Sequence, residues 1–292
     1  MHTTIASKLH FRSHGQGEPV LLVHGLGSSG ADWGLQVPAL QAGFRVIVPD
    51  LPGCGQSARH VGACDIERFA DDLWRLLDGL GEARVNIVGY SLGGAVALEM
   101  ALQRPQAVPR LALINSLATY HIDHWRKWYE ARVPAALVHL LGMRNMARLL
   151  AGRSFPEPWQ EQMRARAVAV VGAVPADSYL AMAAALERWS ATSRLDRLRS
   201  RTLMIAAEHD YTPLPEKRAL AARMGASLVV VRGSRHGTPF DSIALTNACL
   251  LAHLGDQPLP EQEHWSRDEM ANAPAWELAT DLAHEHAACA AG

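Results

Sequence analysis

Apolar residues fall into two patterns along this chain. Short continuous runs rich in Val, Ile and Leu recur at 18–25 (EPVLLVHG), 44–50 (FRVIVPD), 83–90 (ARVNIVGY), 110–116 (RLALINS), 201–210 (RTLMIAAEHD) and 226–234 (ASLVVVRGS). Runs this short, with no polar alternation, suit strands buried on both faces of a parallel sheet. Between them apolar positions recur at spacings of three and four. The clearest case is 65–81, where Ile66, Phe69, Ala70, Leu73, Leu76, Leu77 and Leu80 form one face, Asp65 is placed to cap the helix and Gly81 to stop it. Strands alternating with helices predict βαβ units and an α/β fold with a mostly parallel sheet.

The alternation stops between residues 118 and 194, which hold Trp125, Trp128, Tyr129, Trp159, Tyr179 and Trp189 and no strand pattern. This stretch reads as a helical insertion that divides a core of residues 1–117 and 195–255. A C-terminal extension, 256–292, is Ala-rich. Ser266 with Glu269 has capping-box spacing, and Pro274 would open a short helix over Ala275–Ala288. Trp265, Trp276, Leu278 and Leu282 give the extension apolar surface with which to pack on the body.

The 292 residues suffice for a sizeable core without staples. A net charge of -1 argues against a nucleic-acid partner, which would call for a basic footprint. No apolar run approaches the roughly 18 residues of a membrane span, and the first residues lack the pattern of a signal peptide. The four cysteines, Cys54, Cys64, Cys249 and Cys289, have no paired spacing and read as reduced thiols, so a cytoplasmic location is expected. Only Lys8, Lys127 and Lys217 are lysines among 28 basic residues, a bias assigned to genomic base composition. Segment charges are uneven. Residues 118–194 carry nine Arg and one Lys against six acids, whereas 255–292 carry one Arg against eight. A basic insertion would suit an anionic or carrier-protein-linked substrate.

Candidate chemistry centres on Gly89-Tyr90-Ser91-Leu92-Gly93, a G-x-S-x-G directly after a strand and before a helical pattern. A serine at such a turn needs small neighbours and is lifted above the sheet beside free helix-terminal N–H groups. A serine hydroxyl needs a base. Of 14 histidines, His236 is best placed, in a glycine-flanked loop past the last strand run. Asp210 ends the preceding strand run and would orient that base; Glu208 is the competing carboxylate. By position, the backbone N–H groups of Leu26 and Leu92 would hold a developing oxyanion. His24 reads as a loop-holding residue, and Cys54 has no base beside it. The tryptophans Trp125, Trp128, Trp159 and Trp189 are candidates for an acyl pocket, and Met143, Met146 and Met163 for packing. The His284, His286, Cys289 cluster sits in a short Ala-rich run too poor to fix a metal geometry, so no metal and no cofactor are expected.

Taken in order, HGLGSS (24–29), DLPGCGQS (50–57), GYSLGG (89–94), EHDYTP (208–213) and SRHGTPF (234–240) resemble the motif series of the α/β-hydrolase superfamily over about residues 5–254. The resemblance implies that family's fold, a Ser91, Asp210, His236 triad and a helical cap at the insertion. Ser91 separates the chain from haloalkane dehalogenases and epoxide hydrolases, which place Asp there. Ala207 and Glu208 stand where the family often has Gly, and the extension beyond 256 is outside its pattern. The DLPG turn and basic insertion are also similar to carboxylesterases that demethylate pimeloyl–carrier-protein esters, though both features are generic.

The expected function is hydrolysis of a carboxylic ester or thioester through an acyl-enzyme, acting on a small-molecule acyl substrate. A carbon–carbon bond hydrolase, a lactonase or an amidase would use the same residues. A ligand-binding protein on a hydrolase fold is the alternative from another class.

Overall fold

A computed structural model describes residues 9–58, 64–122 and 125–260. Seven strands, β1 (Phe11–His14), β2 (Glu18–Val23), β3 (Phe44–Pro49), β4 (Asn86–Tyr90), β5 (Arg110–Ile114), β6 (Arg201–Ala207) and β7 (Ser227–Val231), form one sheet in the order β1-β3-β2-β4-β5-β6-β7. Strand β1 pairs antiparallel with β3, and every other pairing is parallel. Six strands coincide with the apolar runs. The sequence pattern missed β1 because FRSH is polar and lies half-buried at the sheet edge.

Nine helices are described: α1 (Val37–Leu40), α2 (Ile66–Gly79), α3 (Leu92–Gln103), α4 (Trp125–Ser154), α5 (Glu161–Ala173), α6 (Ala176–Arg188), α7 (Leu214–Met224), α8 (Thr238–Asp241) and α9 (Ile243–Leu254). Alternate strand residues serve two cores. Leu21, Ile47, Ile87, Leu111 and Met204 pack against α2, α3 and α7. Val20, Leu22, Val88, Ile114 and Ile205 pack with Leu40 of α1 and Leu245, Cys249 and Leu250 of α9. Helix α2 begins where its pattern predicts: Asp65 Oδ1 accepts from the Arg68 N–H at 2.8 Å, and Gly81 just beyond its end has φ 77°.

Helices α4, α5 and α6 lie between β5 and β6, and a Thr119–Ser190 bridge closes the base of this insertion. Helix α4 is broken at Gly142, whose φ of 76° is not helical. The returning chain is anchored on α3. Buried Glu99 accepts from both guanidinium nitrogens of Arg194 (2.8 and 2.7 Å) and from the Trp189 indole N–H (2.9 Å). No single helix among the described residues is long and apolar enough to cross a membrane. Beyond Leu254, Asp256 pairs with Arg110 and Arg201. Residues 261–292 of the extension, including the Ser266–Glu269 pair, Trp265, Trp276 and the Ala275–Ala288 stretch, lie outside the described residues.

Candidate active site

The site forms where parallel strands end. In the β2–β4 register Val23 stands opposite Gly89, so the two carboxyl-terminal loops leave the sheet side by side. One carries Gly25 and Leu26, the other Tyr90 and Ser91. Ser91 sits between β4 and α3 with φ 54° and ψ -119°, a backbone that a non-glycine residue rarely adopts. The turn is possible only because its neighbours are small: a Cβ on Gly89 would run into the Gly93 carbonyl, and one on Gly93 into that of Val23. The Ser91 N–H donates to the Ile114 carbonyl at 2.9 Å, and Ser116 Oγ donates to the Ser91 carbonyl at 2.9 Å.

Ser91, His236 and Asp210 come together in one hydrogen-bonded chain. His236 Nε2 is 3.0 Å from Ser91 Oγ, and His236 Nδ1 is 2.9 Å from Asp210 Oδ1. An imidazole that donates from Nδ1 to a carboxylate leaves Nε2 free to take the serine proton. Asp210 is the carboxylate in place; Glu208 turns away and accepts from the Gly233 N–H at 2.9 Å. Burial raises the Asp210 pKa, but the facing His236 and Lys217 outweigh it and hold the carboxyl well below the usual carboxylate range.

Leu92 is the first residue of α3, so its N–H has no acceptor within the helix. Leu26 follows the end of β2, and both Gly25 and Leu26 line the cavity with Ser91. Among the described residues neither amide donates to a protein acceptor. His24 holds this loop. Its ring bonds the Gly25 carbonyl through Nδ1 (2.9 Å) and accepts the Leu51 N–H at Nε2 (3.0 Å), and burial lowers its pKa. Cys54 is buried and its thiol is pushed up to about 12, mainly by that burial.

Four polar residues of the site went unread in the sequence. Asn115, at φ 48° after β5, donates through Nδ2 to the His236 carbonyl and to Thr238 Oγ1, both at 2.8 Å. Its Oδ1 accepts from the Ala207 N–H at 2.7 Å and from Lys217 Nζ at 3.3 Å. Lys217, on α7, is fully buried and pairs with Asp210 Oδ2, which also accepts from Thr212 Oγ1 at 2.6 Å. Tyr211 is 40% exposed, yet its hydroxyl lies 3.3 Å from His236 Nε2. Tyr90 donates from its hydroxyl to the His236 carbonyl at 3.0 Å. None belongs to a periodic pattern; scarcity was the one available signal, since Lys217 is one of three lysines.

The cavity above Ser91 has a volume of about 130 Å³. Its walls include Leu150, Phe155, Met163, Val170, Val171 and Phe240, from α4, the segment after it, α5 and α8. Among the described residues, Trp125, Trp159 and Trp189 do not line the cavity, which corrects the sequence reading for these three. Trp189 is buried in the core against Glu99. Trp125 and Trp159 are 70% and 45% exposed on the outside of the insertion. The side chain of Trp128 lies outside the described residues. Met163, expected as packing, faces the cavity, whereas Met143 and Met146 pack with Val138 and Tyr179. At the polar end, Arg166 donates to the Ala31 carbonyl at 3.0 Å and stands 3.6 Å from Asp32, whose other oxygen is bonded by Ser28. His284, His286 and Cys289 are outside the described residues. Among the described residues, no group of three or more His, Cys, Asp or Glu is placed to hold a metal ion.

The fold and this serine-bearing turn define a hydrolase of the α/β class. The chain belongs to the alpha/beta hydrolase fold family, whose model matches residues 18–236. A protein of Stutzerimonas stutzeri named carbamate hydrolase RutD is 30% identical over 261 residues, 85% of this chain and 97% of that one. A thermophilic esterase from Thermogutta terrifontis has a TM-score of 0.76 at 27% identity, covering 85% of this chain and 93% of that one. An enol-lactonase from Burkholderia xenovorans matches with a TM-score of 0.76 at 25% identity, covering 85% and 96%.

Proposed function

We propose that this chain is a serine hydrolase that cleaves a small, uncharged carboxylic ester through an acyl-enzyme on Ser91. The observation that carries the reading is the unbroken chain from Ser91 Oγ through His236 to Asp210 at 3.0 and 2.9 Å. His236 takes the serine proton as Oγ attacks the carbonyl. The Leu26 and Leu92 N–H groups receive the oxyanion. His236 then passes the proton to the leaving alcohol. Water next gives a proton to His236 and its hydroxide to the acyl carbon, which frees the acid and restores Ser91. A thioester would follow the same path with a thiol leaving.

Cavity size and polarity support a narrow acyl group. An apolar cavity of roughly 150 Å³ accommodates a benzene ring, so about 130 Å³ suits a short chain or a single ring. The helices α4 and α5 act as the cap over it. The insertion's net positive charge does not carry into the cavity, because Arg166 is already engaged by Ala31 and Asp32. The reading is therefore a neutral acyl group in preference to an anionic or carrier-linked one. The names of the relatives (esterase, enol-lactonase, carbamate hydrolase) share an acyl carbonyl bonded to a heteroatom, and a strained lactone is the second substrate class to assay.

The test compares p-nitrophenyl acetate, butyrate, benzoate and octanoate as substrates for the wild type and Ser91→Ala. The short and aryl esters should turn over best, and Ser91→Ala should lose at least about a thousandfold in kcat with unchanged thermal unfolding. Turnover retained in a folded Ser91→Ala chain refutes the reading.

A further inference from the structure

We propose that Lys217 is a positioning residue that sets the pH range of the site, acting on His236 through the outer oxygen of Asp210. The inference rests on the serine-hydrolase reading of Ser91 and His236.

Among the described residues, Lys217 is the one lysine or arginine that is buried. Its ammonium reaches from the first turn of α7 to two acceptors, Asp210 Oδ2 and, at 3.3 Å, Asn115 Oδ1. A buried ammonium is costly unless it is paired and hydrogen-bonded; Asp210 offsets part of that cost, and burial still lowers the Lys217 pKa. The arrangement divides the Asp210 carboxylate between two cations. Oδ2 faces Lys217 and Thr212, leaving Oδ1 for His236 Nδ1. Asn115 bonds Lys217 through one end of its amide and the His236 carbonyl through the other, so one buried network fixes both the carboxylate and the histidine loop.

The electrostatic consequence has a definite sign. A carboxylate favours the imidazolium form of its histidine; a cation on the far oxygen opposes that. Lys217 therefore offsets part of the pull of Asp210 on the ring, and removing it should raise the pH below which Ser91 labelling slows. Other titratable groups lie around this network. Tyr90 bonds the His236 carbonyl, Tyr211 reaches His236 Nε2, Tyr120 acts on Tyr211, Asp241 bonds Ser234 in the histidine loop, and Asp32 and Arg166 line the same cavity. Burial raises the phenols of Tyr90, Tyr120 and Tyr211, so they stay protonated over the working range. Asp241 is pushed up to about 7, chiefly by burial, so its titration must be separated from any shift of the labelling limb.

The experiment follows the rate of Ser91 labelling by a fluorophosphonate against pH, which needs no knowledge of the natural substrate. Lys217→Gln keeps a donor to Asp210 without the charge, and Lys217→Met removes both. Both should move the acidic limb upward by about one pH unit, which reads as about a tenfold slower labelling below the limb. Lys217→Met should also lower the plateau rate, and by more than Lys217→Gln does. The shift should persist when Asp241→Asn is added. An unmoved limb in a folded Lys217 variant overturns the proposal, as does a shift that disappears with Asp241→Asn. Absence of Ser91 labelling in the wild type would instead sink the hydrolase reading. If neither variant folds, the wild-type chain decides through the ¹⁵N signal of the Lys217 ammonium. Slow exchange and a change of shift on Asp210→Asn support the pairing; exchange at the solvent rate overturns it.

Discussion

The side-chain amide of Asn115 donates to the main-chain carbonyl of His236 at 2.8 Å, joining the end of β5 to a loop 121 residues later in the chain. With its bonds to Thr238, Ala207 and Lys217, this one amide aligns three segments around the site. Asn115→Ala strands several buried partners and places alanine at φ 48°. It should cost about 2–3 kcal/mol of stability and lower kcat by more than its effect on KM. Urea unfolding and steady-state kinetics check this, and a change confined to KM would argue against a role in holding the histidine loop.

The turn bearing Ser91 depends on Gly93. An alanine there meets the Val23 carbonyl of the adjoining strand end, backbone that cannot move without opening the β2–β4 pairing. Gly93→Ala should destabilise by about 3 kcal/mol and abolish activity. An alanine variant with wild-type melting and rate would show that the turn is looser than described.

Charge at the cavity makes a prediction about substrates. Arg166 is committed to Ala31 and Asp32, so an anionic acyl group would lose hydration without gaining a free cation. Mono-p-nitrophenyl succinate should show at least about tenfold lower kcat/KM than p-nitrophenyl valerate. Preference for the succinate would instead mean that the Arg166–Asp32 pair opens on binding.

Asp241 links stability to pH. It is buried, accepts from Ser234 and Ser242 at 2.8 and 2.9 Å, and its carboxyl is pushed up to about 7, chiefly by burial. The folded state therefore binds this proton more tightly than the unfolded chain. The stabilisation is complete below about pH 4 and is lost as pH rises through about 7. Asp241→Asn should gain stability relative to wild type over that window, most at about pH 8. A melting-temperature difference that does not change with pH would contradict the assignment.

Much of this molecule was legible in its sequence, for physical reasons that also mark where the reading stopped. Buried parallel strands must be continuously apolar, so six of seven were visible; β1, polar and at an edge, was not. Ser91 was visible because its turn demands glycines at fixed offsets, and Asp210 and His236 because loops at strand ends leave few candidates. The pocket was misread because tryptophan content reports apolar area and not its direction. Trp189 went to the core and Trp125 to the surface, while Phe155, Met163 and Phe240 took the walls. Lys217 and Asn115 were invisible because a lone lysine on a helix and a lone asparagine after a strand look solvated until packing closes over them.

The most direct test of the central claim is whether Ser91 becomes acylated. The wild-type chain is mixed with excess p-nitrophenyl acetate, quenched in acid within the burst and digested for peptide mass spectrometry. The account predicts one acetyl group on the peptide containing Ser91, absent in Ser91→Ala and slower to form in His236→Ala. An acetyl group at another residue, or turnover with no covalent intermediate at Ser91 in either the wild type or His236→Ala, would contradict it.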